Sequence, residues 1–138
     1  EHTIDDKGRI TLPARFRDAF ADGVVLSKSF DKCIDVLPRA AWDSSIRARL
    51  AGLDSFSREA RELRRYVFTG ASDCEPDKQG RVHLPSTLAT HAGLEREVVI
   101  AGVDDRLEIW DRQAWVEHLT TVGGSADDVA ERFASQRS

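Results

Sequence analysis

No stretch of this chain holds the roughly 20 consecutive apolar residues that a membrane-spanning helix needs. Nothing near Glu1 has the succession of a basic, an apolar and a small-residue segment that marks a secretory leader. Cysteine is almost missing. Cys33 and Cys74 have no Cys-x-x-Cys spacing and no histidine cluster beside them, which excludes the usual zinc frameworks. They are expected to be small buried hydrophobes of a reducing cytoplasm. His2, His83, His91 and His118 lack metal-ligand spacing, and there is no G-x-S-x-G, Walker loop or G-x-G-x-x-G. No catalytic constellation, metal site or cofactor is therefore expected, and no enzyme activity. Methionine is absent altogether, and with Glu1 in first place the natural beginning is expected to lie further upstream.

Cationic excess is lacking too. The net charge of −4 argues against a uniform coat on nucleic acid, yet phosphate contact depends on where charges sit. Residues 5–17 set Lys7, Arg9, Arg15 and Arg17 against Asp5 and Asp6, a local +2. Residues 93–111 set six carboxylates against Arg96 and Arg106, a local −4. This segregation predicts a polarised surface.

What is present is a phrase written twice. Asp5-Asp6-Lys7-Gly8-Arg9-Ile10-Thr11-Leu12-Pro13 returns as Asp77-Lys78-Gln79-Gly80-Arg81-Val82-His83-Leu84-Pro85. The similarity resumes between residues 31–42 and 104–115, so the chain carries a duplicated unit. Units this small seldom bury enough apolar surface alone, so the copies are expected to share a core. We place the first repeat at 1–44, a helical linker at 45–69, the second repeat at 70–117 and a helical tail at 118–138.

Within each repeat, Ile10 and Leu12 (Val82 and Leu84) alternate with Arg9 and Thr11 (Arg81 and His83). That predicts a short strand with its arginine facing away from the core. The Asp-x-x-Gly before it reads as a turn whose glycine takes positive φ. Helices are expected over 13–20 and 85–91, then hairpin arms over 24–26 with 33–37, and 98–101 with 107–110. Helices carrying Trp42 and Trp115 follow. The linker predicts a helix over 57–68 with Ser57 as N-cap. Gly123-Gly124-Ser125 predicts a hinge before a last helix over 126–134.

The Asp5/Arg9 and Asp77/Arg81 pairs form the strongest constellation. Each pair alone reads as a turn with a surface ion pair worth at most about 1 kcal/mol. Repeated around a turn glycine, the carboxylate would orient the guanidinium for phosphates or guanine edges. Lys7, Arg9, Arg15, Arg17, Lys78 and Arg81 make the candidate basic face. Arg58, Arg61, Arg64 and Arg65 alternate with Glu59 and Glu62 on the linker and read as local ion pairs.

The run from Asp5 to Arg17, with the phrase Leu107-Glu108-Ile109-Trp110-Asp111-Arg112-Gln113-Ala114-Trp115, resembles the MraZ family, bacterial proteins with two tandem SpoVT/AbrB-type domains. The resemblance covers about residues 4–121. It implies an α+β fold in which two tandem AbrB-like swapped-hairpin repeats form one pseudo-symmetric β-barrel with flanking helices. It also implies a cytoplasmic, nucleoid-associated transcription factor that assembles into rings. Such a factor binds short direct repeats of double-stranded DNA upstream of the division and cell-wall gene cluster, its own promoter region included. The family's DNA-contacting loop falls on Lys7 and Arg9, and we extend it to Arg15. In the second copy Lys78 and Arg81 are the corresponding candidates, although Gln79 stands where the first copy has Lys7. Asp5, Gly8, Asp77 and Gly80 would orient the two loops.

Two readings stay open. One is the DNA-binding regulator, and the other is an AbrB-fold, antitoxin-like protein-interaction module whose acidic tail docks another protein.

Overall fold

The alternation along each repeat is realised as strands in the computed structural model, which describes residues 2–137. Glu1 and Ser138, the outer limits of the expected first repeat and tail, lie outside the described residues. The first copy gives β1 (His2–Thr3), β2 (Arg9–Thr11), β3 (Val24–Lys28) and β4 (Ile34–Pro38). A helical run follows, α1 (Arg39–Ala41) and α2 (Ala48–Ala51) joined by a π-helical stretch, Trp42–Arg47. The linker helix is α3 (Arg58–Thr69). The second copy gives β5 (Ser72–Cys74), β6 (Arg81–His83), α4 (Ser86–His91), β7 (Glu97–Val103), β8 (Arg106–Asp111) and α5 (Arg112–Arg137).

The copies pair with each other rather than standing apart. Six antiparallel strands run in the order β1-β7-β8-β4-β3-β5, and β2 and β6 form a separate two-stranded ribbon. Thus β1 of the first copy adds to β7 of the second, and β5 of the second adds to β3 of the first. β4 pairs β8 across the middle. The larger sheet ends at β1 and β5 and does not close on itself.

Period-two alternation sorts the side chains. Val24, Leu26, Ile34, Val36, Val98, Leu107 and Ile109 face inward, where Ile10, Val82, Leu12 and Leu84 of the ribbon and turns cover them. Val25 and Leu37 point to the other face and are covered by Trp42, Leu50 and Val67 from the helices. Both cysteines are free; Cys33 is buried and Cys74 partly so. Ser57 caps α3, its hydroxyl accepting from Ala60 N–H at 3.3 Å.

Three expectations are corrected. After Pro13 only a 3-10 turn forms, Ala14–Phe16, because turns to Gly23 carry Phe20 into the core. The glycine hinge is absent: α5 runs through Gly123 and Gly124. Two helical glycines cost about 1 kcal/mol each relative to alanine. Backbone bonds on either side sustain the helix, and Thr120, Thr121 and Ser125 hydroxyls donate to carbonyls four residues back. Glu108, counted with the acidic surface, is buried. Among the described residues no helix is long and apolar enough to cross a membrane.

Candidate nucleic-acid interface

Each Asp-x-x-Gly-Arg segment folds into the same closed turn. Asp5 N–H donates to the Arg9 carbonyl at 2.9 Å and Gly8 N–H to the Asp5 carbonyl at 3.0 Å. The Asp5 carboxylate fills the turn: Oδ1 accepts from the backbone N–H groups of Lys7 (2.9 Å) and Arg9 (2.8 Å), while Oδ2 accepts from Arg9 Nε (2.8 Å). The second copy repeats this atom for atom. Asp77 accepts from the N–H groups of Gln79 and Arg81, both at 2.9 Å, and from Arg81 Nε at 2.7 Å. The backbone donor of the arginine, above all, holds each carboxyl below its usual range. Gly8 and Gly80 sit at φ +75 and +76, a region that a Cβ penalises.

The carboxylate grips only Nε. Among the described residues the two terminal nitrogens of Arg9 and of Arg81 take no hydrogen bond, so each guanidinium presents its outer edge. The ribbon then brings the two copies together. Arg9 lies opposite His83 and Arg81 opposite Thr11, with Ile10 and Val82 between them on the buried side. Arg9, Thr11, Arg81 and His83 therefore share one outward face. The turns are also stitched to each other, Leu12 N–H donating to the Gly80 carbonyl and Leu84 N–H to the Gly8 carbonyl, both at 2.8 Å.

The remaining candidates flank this face. Lys7 and Lys78 are exposed on the two turns. Arg15 is exposed, its guanidinium 4.8 Å from the Phe16 ring centroid. Two residues deserve more weight than the sequence gave reason to assign. Arg17 bends across to the second copy's turn, donating to the Leu12 carbonyl at 3.4 Å and lying over Gly80, where a Cβ would stand 2.5 Å from its Nε. His83, which lacks metal-ligand spacing and alternates with the buried Val82 and Leu84, packs beside Gly8 on the ribbon's outward face. Its correspondence with Thr11 in the repeat was the signal available.

One other polar cluster lies on the helix-covered face of the sheet. Asp35 is directly opposite Glu108 across β4 and β8. Arg106 meets Asp35 at 3.4 Å, Glu108 at 3.1 Å and Asp105 at 3.2 Å. Glu108 also accepts from Trp110 Nε1 at 3.1 Å. Burial pushes the Asp35 carboxyl up to about 6 and the Cys33 thiol up to about 12. Donor atoms of Cys33, Asp35 and Glu108 come within 4.8 Å of one another. A guanidinium already balances the carboxylates and the thiol is held protonated, so the chemistry is that of an internal ion pair rather than a metal centre.

With the two turns matched in geometry as in sequence, comparison with known proteins is informative. The family model described as "MraZ protein, putative antitoxin-like" matches twice, over residues 1–66 and 67–135. The chain belongs to the MraZ family. Similar relatives include the transcriptional regulator MraZ of Roseiflexus castenholzii, 42% identical over 137 residues, covering 99% of this chain and 95% of the relative. The protein of that name from Limosilactobacillus fermentum is 41% identical, covering 96% and 92%. That from Thermoanaerobacter pseudethanolicus is 40% identical with the same coverage. Each of the two family matches contains one of the Asp-x-x-Gly-Arg turns.

Proposed function

We propose that this chain is a sequence-specific, DNA-binding transcriptional regulator whose reading surface is the outward face of the β2–β6 ribbon. The observation that carries the reading is the pair of identical turns. Each clamps an arginine through Nε and leaves its outer edge free, and both arginines stand on one two-stranded ribbon. A two-stranded ribbon fits the major groove, and a guanidinium edge matches the O6 and N7 acceptors of guanine. Lys7, Arg9, Arg15, Lys78 and Arg81 are the contacts in this reading, with Asp5, Gly8, Asp77 and Gly80 holding them in place. The names of the relatives, transcriptional regulators, agree with it.

The finer picture in this proposal is the one the resemblance of the Asp5–Arg17 run implies. The repeats at 1–44 and 70–117 form one pseudo-symmetric, swapped-hairpin barrel unit, a reading supported by the exchange of β1 and β5 between copies. Units assemble into a ring in the cytoplasm, associated with the nucleoid. The ring binds short direct repeats in its own promoter region, ahead of the division and cell-wall genes. There is a physical reason for direct repeats. One ribbon offers few phosphate contacts on a chain of net charge −4. An array of ribbons turns weak contacts into avidity when DNA repeats match the subunit spacing.

The test compares the unmodified chain and Arg9→Ala on labelled DNA bearing several direct repeats and on a scrambled control, at two salt concentrations. Repeat-selective binding that weakens steeply with salt and is lost in Arg9→Ala supports the reading. Equal binding to both DNAs by folded, assembled protein would favour the protein-interaction module.

A further inference from the structure

Ile10 and Val82 hold the same place in the two repeats and pair with each other, so a local two-fold axis passes between them. That axis exchanges Arg9 with Arg81 and Thr11 with His83. The arginines match in residue and in clamp. The outward face of β2–β6 therefore departs from two-fold symmetry at one place, where the first copy has Thr11 and the second has His83. Hydrogen-bonded and unbonded pairs alternate along an antiparallel ribbon, and side chains stand closer in the unbonded ones. The bonds from Leu12 to Gly80 and from Leu84 to Gly8 put Arg9/His83 and Arg81/Thr11 in the closer class. His83 is exposed, and among the described residues it takes no hydrogen bond or ion pair. A Cβ on Gly8 would stand 3.5 Å from its Nε2, so the ring rests over the first copy's turn. At the second turn that place is held by Arg17, tied to the Leu12 carbonyl at 3.4 Å.

We infer that His83 is a specificity-determining residue: its imidazole donates to N7 of a purine in the base pair next to the one that Arg9 reads. This role rests on the ribbon being the DNA-reading surface. Side chains of an unbonded pair start about 4.5–5.5 Å apart at Cβ, and successive bases rise about 3.4 Å along a strand, so cross-strand neighbours reach adjacent base pairs. An imidazole carries at least one N–H donor in either tautomer. In the major groove N7 is the acceptor that guanine and adenine share, so the class selected is purine over pyrimidine. Thr11, short and branched at Cβ, does not extend as far from the ribbon as the imidazole. The two ends of the ribbon then ask for different bases. An element read in this way has a direction along the duplex, although the arginine pair alone is symmetric.

The test uses the full chain and DNA bearing several direct repeats, with 7-deazaguanine or 7-deazaadenine placed at one purine position of each repeat in turn. His83→Phe keeps a planar ring over Gly8 without its nitrogens, and His83→Thr installs the residue that the first copy carries. Both changes are at an exposed position, and thermal melting establishes that the variants are folded. Fluorescence anisotropy reads affinity. The parent is expected to weaken at the guanines its arginines read and, by about threefold or more, at one purine beside them. Both variants should bind unmodified DNA more weakly by that same factor and lose nothing further at that one purine, while the losses at the other positions persist. Variants that keep the parent's full pattern of losses overturn the inference and leave reading by Arg9 standing. Variants insensitive at every position also overturn it, since His83 would then act by holding Arg9 in place. A parent that does not prefer the repeats to scrambled DNA overturns both.

Discussion

Replacing Asp35 by asparagine should stabilise this protein at alkaline pH, and the reasoning starts from the sheet. Asp35 is on β4, directly opposite Glu108 on β8, where the two copies pair. Its side chain is 20% exposed, and its Oδ1 lies buried without a hydrogen bond, 3.4 Å from Arg106. Desolvation outweighs the pull of Arg106, and its carboxyl rises from 3.8 to about 6. The folded chain therefore holds this proton to higher pH than the unfolded chain does. The resulting stabilisation is complete below 3.8 and is lost as pH climbs through about 6. Such a rise corresponds to roughly 3 kcal/mol between the two limits. Asparagine keeps the shape and stays neutral throughout. Arg106 retains Glu108 at 3.1 Å and Asp105 at 3.2 Å, so removing the Asp35 charge does not strand the guanidinium. Urea unfolding at pH 4.5, 6 and 8 should give an Asp35→Asn variant more stable than the parent by about 1–3 kcal/mol at pH 8, with the gap narrowing toward pH 4.5. Subtracting parent from variant cancels groups common to both, such as His2, whose lowered pKa works in the opposite direction. Parallel pH profiles, or a variant less stable than the parent at pH 8, would refute the argument.

Other substitutions test the turns and the helix start. Gly80→Ala should cost roughly 1–3 kcal/mol, since φ is +76 and the new Cβ would displace Arg17; Gly8→Ala meets only ordinary contacts at 3.5 Å and should cost less. Equal losses in thermal or urea melts would show that the Arg17 contact is unimportant. Ser57→Ala removes the cap of α3 and should cost about 1 kcal/mol, read by denaturant midpoint. Arg81→Ala should weaken DNA binding less than Arg9→Ala, because Gln79 in its turn supplies no charge where Lys7 does; titration of both variants on the same DNA compares them.

The local grammar of the chain was readable. Asp5, Gly8 and Arg9 specify a turn because each residue has one role there: an acceptor, a positive φ and a clamped donor. The alternation around Ile10 and Val82 fixes which way the arginines point. Pairing between copies was less visible, since nothing near Arg9 indicates that His83 lies opposite it. Long-range partners are chosen by the whole core. Propensity misled at Gly123-Gly124, where a penalty of a kcal/mol or two is too small to break a long helix. It misled again after Pro13, where burial of Phe20 outweighed helix continuation. Glu108 was misread because its partners, Arg106 and Trp110, sit two residues away on the same strand face, a spacing that also fits a solvent-facing row.

The most direct test of the central claim is the Arg9→Lys substitution, read by fluorescence anisotropy on direct-repeat and scrambled DNA across a salt series. Lysine keeps the positive charge but has no planar fork to be gripped at one edge and offered at the other. If the clamped guanidinium reads bases, Arg9→Lys should keep the salt slope within about one phosphate of the parent while its preference for the repeats collapses. Full retention of that preference would contradict the account, because charge alone would then suffice and the Asp5 clamp would have no part in reading DNA.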